Sequence, residues 1–227
     1  MRPAEPSPDR QRRTRRLRRA ALALLRQRRG MVSVEAGLMA IPIALIVLGM
    51  VDVVNLFRAH LRVESAALQL GQLVSQCNAI TTPGDTSQFW TYAQRIVGNL
   101  GTVTGAGATG AVVISAVGRV NNANQVVWQQ RTGSTAHASE VGVAGGAATL
   151  AGGFQVPTGQ TLFVTEVFLP HATWDTAVTH RLMESPQTRV LRGSTMFLTR
   201  APDAPSLLLP PKASANPNCT GNGTGSP

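Results

Sequence analysis

Ala36–Val51 runs for sixteen residues without a charge. A run of that kind must be buried in a large core or in lipid. Sixteen is short of the roughly 20 residues that cross a hydrocarbon layer. The flanks extend it, because from Met31 to Phe57 only Ser33, Glu35, Asp52 and Asn55 are polar. As a helix, those residues span about 40 Å at about 1.5 Å per residue. Charge is placed unevenly around the run. Residues 1–30 hold eleven arginines against Glu5 and Asp9, whereas Arg58 and Arg62 are the only cations just beyond it. Of the net +10, therefore, +9 belongs to the leader and +1 to residues 31–227. A basic flank on one side predicts that the leader stays in the cytoplasm, with Arg26, Arg28 and Arg29 as the topogenic residues nearest the span. It also removes the nucleic-acid-binding reading that a pI of 11.5 would suggest, since the remainder is nearly neutral. A cleaved secretory signal is disfavoured because Asp52, Asn55 and Phe57 stand where a small-x-small site belongs.

Glu35 sharpens this picture. An acid near the mouth of a membrane helix is costly unless it is paired or functional. It closes the string Arg28-Arg29-Gly30-Met31-Val32-Ser33-Val34-Glu35. That string resembles the type III signal of type IV pilins and pseudopilins: a basic leader, glycine at the cut and glutamate as fifth residue of the mature chain. Within that group, RRGMVSVEAGLMAIPIALIVLGMVDVVNLF is similar to the TadE-like family of the tight-adherence (Flp) pilus system. LFVTEVFLP and RVLRGSTMFLTR resemble its late strands more loosely. The resemblance implies a prepilin peptidase that cuts between Gly30 and Met31 on the cytoplasmic side. It implies an apolar segment retained as a single-pass inner-membrane anchor, and a periplasmic domain. Glu35 then neutralises the new amino terminus of a neighbouring subunit. The implied partners are the membrane, the peptidase, other pilin or pseudopilin subunits and the assembly machinery. The implied activity is non-enzymatic. The alternatives are an unprocessed single-span periplasmic binding or adhesion protein and, less well supported, a membrane-tethered enzyme.

Beyond the span, Leu56, His60, Val63, Ala67, Leu70, Val74 and Cys77 alternate steps of four and three, which predicts that the helix continues with one apolar stripe. The stripe could face the protein's own sheet or another subunit's helix. Pro42 predicts a kink in the membrane half, which such helices tolerate. NAITTPGD at 78–85 reads as a turn, and a short second helix follows a Thr86/Ser87 cap. Ala111–Val117 and Gln125–Gln130 read as a hairpin turning at Asn121-Asn122. Residues 131–159 read as a long exposed loop, Gln160–Leu169 and Arg189–Thr199 as further strands, and Ala201–Pro227 as a proline-rich tail. The expected fold is α+β and pilin-like: a leader (1–30), a transmembrane helix (31–57), its extension (58–80), an antiparallel α+β domain (81–200) and the tail (201–227).

Chemistry-bearing clusters are sparse. His137 and Glu140 share one stretch and His171, Asp175 and His180 another, but neither has the ligand spacing of a zinc site. No nucleophile elbow, P-loop or dinucleotide fingerprint is present. No catalytic residue, metal site or cofactor is therefore expected. Cys77 and Cys219 fall on the same side of the proposed membrane, where an oxidising compartment permits a disulfide. The rival is two free or intermolecular thiols.

Overall fold

A computed structural model describes residues 28–173, 187–200 and 209–219. Contacts divide the chain into two compact units, Met1–Val51 and Asp52–Pro227. Helix α1 (Arg28–Ser75) runs through both. In the first unit its side chains are almost all exposed, with Leu38 at 72% and Ile41 at 67%. Alanine, leucine and methionine favour the helix locally. Pro42 lies inside it, where it removes one backbone donor. α1 is long and apolar enough to cross a membrane.

In the second unit α1 changes character. Ala59, Val63, Ala66, Ala67, Leu70 and Val74 are buried against the protein's own sheet, while Leu61 and Leu68 remain exposed. Of the two readings of the stripe, this length takes the first. His60, on the expected stripe, is half-exposed and pairs with Glu64 one turn on at 3.0 Å. After α1 come β1 (Thr81–Pro83) and α2 (Gly84–Val97), which ends in a 3-10 turn at Gly98–Leu100. α2 starts two residues before the expected cap. Ser87 Oγ donates to Gly84 O at 3.0 Å and so lies within the first turn. Asp85, which suits a helix N-terminus, turns back toward Thr81.

The main sheet is wholly antiparallel with order β3-β2-β4-β5. Its strands are β2 (Ala111–Val120), β3 (Ala123–Gly133), β4 (Thr161–Thr173) and β5 (Gln187–Leu198). Asn121 (φ 49°) and Asn122 (φ 66°) both occupy the left-handed region. That is what a two-residue type I′ turn demands, and asparagine supplies it at low cost. A register shift at Ala116/Val117 bends the hairpin. β2 is buried from Ala111 to Gly118, so both faces of the sheet are covered.

One face carries Val112, Ile114, Ala116, Trp128, Phe163, Val167, Leu169 and Leu191, packed under α1 and under Phe89, Ala93 and Val97 of α2. Trp128 and Phe163 meet as a tilted pair with centroids 5.9 Å apart. Small residues allow α1 and β5 to approach closely. Thr195 donates to Ala67 O at 2.9 Å, and a Cβ on Gly193 would stand 2.6 Å from Val63 O.

The opposite face corrects the reading of 131–159 as merely exposed. β3 runs on to Gly133, and the loop beyond it folds back over the sheet. Its Val141, Leu150 and Val156 are buried with Val117, Val126, Leu162 and Val164. Glycine and alanine richness concealed three well-spaced apolar anchors. Asn124 fixes the loop by donating to Phe154 O at 2.7 Å and accepting from Val156 N at 3.0 Å. The tail also departs from expectation, since β6 (Lys212–Ser214) pairs in parallel with β1. Residues 201–208 and 220–227 lie outside the described residues. The outcome is the α+β, pilin-like arrangement expected: a long apolar N-terminal helix whose later part packs on a four-stranded antiparallel sheet.

Candidate functional site

Among the described residues of the sheet domain two acids are fully buried, and each organises a loop. Alternation along β4 directs Phe163, Thr165, Val167 and Leu169 toward α1, and Leu162, Val164, Glu166 and Phe168 toward the long loop. Glu166 is 0% exposed, so its charge must be met by donors. Arg192 of β5 donates to its Oε1 at 2.7 Å and Glu140 N does so at 3.1 Å, while the Ser139 hydroxyl donates to Oε2. Arg192 also pairs with Glu140 and lies 6.0 Å from the centre of the Phe168 ring. His137 stacks on Phe168, with centroids 5.7 Å apart, and its Nε2 lies 3.0 Å from Thr109 O. The cluster pins Ser139 and Glu140 to the sheet. Through these bonds the Glu166 carboxylate holds the loop on the sheet.

The second acid, Asp85, is also 0% exposed. Thr81 N (2.7 Å) and the Thr81 hydroxyl (2.8 Å) donate to Oδ2, and Asn218 N (2.8 Å) and Cys219 N (2.9 Å) donate to Oδ1. Two of the four donors thus belong to Thr81 and two to residues 218–219, which the carboxylate holds against the start of α2. Cys219 is thereby placed beside the end of α1, where it is bonded to Cys77 with Cα atoms 4.7 Å apart. Gly84 permits this approach, because a Cβ there would lie 2.7 Å from the Asn216 backbone.

The residues singled out from sequence are dispersed. Arg28, Arg29, Gly30 and Met31 are all within α1, and Arg26 lies outside the described residues. Glu35 is exposed on the same helix and has no hydrogen bond or ion pair among the described residues. His137 and Glu140 are brought together, but in the Glu166 cluster. His171 is half-buried on β4 opposite Arg189. Asp175 and His180 lie outside the described residues. Among the described residues no group of three His, Cys, Asp or Glu side chains could hold a metal ion.

Sequence reasoning passed over Glu166, Arg192 and Asp85. The signal for Glu166 was legible: in LFVTEVFLP a lone acid sits in phase with Leu162, Val164 and Phe168. Such an acid is buried and needs a cation, and Arg192 lies in the other late strand. No family model, no curated protein and no solved structure matches the chain. An exposed apolar helix long enough to span a bilayer, together with a disulfide, indicates a membrane-anchored or exported protein.

Proposed function

We propose that the chain is a pseudopilin of the TadE-like kind. It is anchored in the inner membrane with its leader in the cytoplasm and its sheet domain in the periplasm, and acts in assembly of a tight-adherence (Flp) pilus or a related secretion system. It works by packing helices against other subunits, with no turnover of substrate. The observation that carries the reading is the division of labour within α1: an exposed apolar length holding Glu35, which has no ion pair among the described residues, then a length buried on the domain's own sheet. An unpaired acid at a membrane mouth needs a cation. Cleavage after Gly30 creates one, the amino group of Met31, on every neighbouring subunit. The prepilin peptidase is the partner that makes it.

Mass spectrometry of the membrane-bound protein tests this. A mature chain beginning at Met31, lost on Gly30→Ala, is the expected result. An intact arginine leader on the assembled protein would sink the proposal in favour of an unprocessed single-span anchor. Glu35→Ala should leave membrane insertion intact and abolish piliation; unchanged piliation would remove the role given to Glu35.

A further inference from the structure

The apolar surface of α1 does not end at the charge that closes the uncharged run. Past Asp52, Val53 (61% exposed), Val54, Phe57 (62%) and Leu61 recur at helical spacing on one side of the sheet domain's own length of α1. Beside them the first residues of β5 carry Val190, also exposed at 44%. Between the helix and this strand lies a groove of 470 Å³ lined by Val53, Leu56, Phe57, His60, Arg189 and Val190, among others. That volume falls within the roughly 300–1,000 Å³ of sites that hold small ligands. Two arginines line it: Arg192 is held by Glu140 and Glu166, whereas Arg189 has no ion pair among the described residues. The imidazole of His60, by contrast, is taken by Glu64. Apolar floor and unpaired guanidinium together match an amphiphile with one alkyl chain and an anionic head.

We infer that this groove seats a phospholipid of the surrounding leaflet, one acyl chain lying along Val53, Phe57 and Val190 and the phosphate meeting Arg189. The inference rests on the reading of α1 as a membrane anchor. Charge complementarity favours a lipid occupant: the Arg189 guanidinium at the rim of an apolar groove suits a phosphate whose alkyl chain covers Val53, Phe57 and Val190.

The test uses the full chain in nanodiscs of phosphatidylethanolamine and phosphatidylglycerol. A photoreactive p-benzoylphenylalanine is placed at position 190, at 46 in the apolar run, or at 121 in the hairpin turn, and adducts are read by mass spectrometry. Phospholipid adducts are expected at 190 and 46 and not at 121. Arg189→Glu should lower the yield at 190 by about fivefold or more while leaving 46 unchanged. Lipid at 46 but none at 190 would overturn the groove and leave the anchor standing. No lipid at 46 would overturn the anchor and, with it, the groove. A cross-link from 190 to a second copy of the chain would also overturn the lipid assignment, making the groove a subunit contact. A yield at 190 that Arg189→Glu leaves unchanged would overturn the phosphate contact.

Discussion

Replacing Arg192 by methionine removes the only cation facing Glu166 among the described residues and leaves a carboxylate that is 0% exposed. Breaking a buried pair from one side costs about 3–5 kcal/mol. Two features lower the figure here. The arginine side chain is itself 31% exposed, so solvent already screens part of the attraction, and Ser139 Oγ and Glu140 N still donate to the acid. About 2–3 kcal/mol is the expected loss. With a urea dependence of about 1–3 kcal/mol/M, the midpoint should fall by roughly 1–2 M. Tryptophan fluorescence of the full chain in detergent micelles reports it, since Trp128 sits in the core at 4% exposure. The decisive comparison is the double variant Glu166→Met with Arg192→Met. Removing both charges leaves an apolar pair of similar volume, so the double should recover at least about 1 kcal/mol of the single's loss. A double variant as unstable as the sum of its singles would refute the reasoning, as would an Arg192→Met protein with an unchanged midpoint.

Three further outcomes are expected. Cys77→Ser with Cys219→Ser opens a closure of sequence separation 142 and should lower stability by up to about 5 kcal/mol on the chain-entropy account; chemical denaturation of both forms measures it. Asp85→Asn presents an amide where four donors converge, and should cost about 1–3 kcal/mol while raising the rate of proteolysis after Lys212. Gly193→Ala forces a Cβ to within 2.6 Å of Val63 O. Because the obstacle is backbone, α1 must shift from β5 at a cost of about 1–3 kcal/mol, visible as a lower thermal midpoint.

The elements that could be read from sequence are those whose pattern is local. The long apolar helix announces itself by sixteen uncharged residues, and the hairpin by Asn121-Asn122, because few residues accept two consecutive positive φ angles. What escaped depends on distant partners. Val141, Leu150 and Val156 look like chance apolar residues in a glycine-rich stretch until the sheet face that receives them is known. Asp85 reads as an ordinary turn acid, since its amide partners at Asn218 and Cys219 lie more than 130 residues away. His137 and Glu140 drew attention as a pair of ligand types, yet what distinguishes them is proximity to Glu166, which no spacing rule reveals.

The return of residues 212–219 to the end of α1 sets an order of events for a chain that emerges from its N-terminal side. The long helix and all four strands of the main sheet precede this segment, so they can assemble while Asp85 still lacks two of its four donors and Cys77 lacks its partner. The last stitch can be made only once everything before it has emerged. A chain stalled part-way keeps an unpaired thiol at the foot of its helix, and that thiol is a chemical mark by which unfinished molecules differ from complete ones.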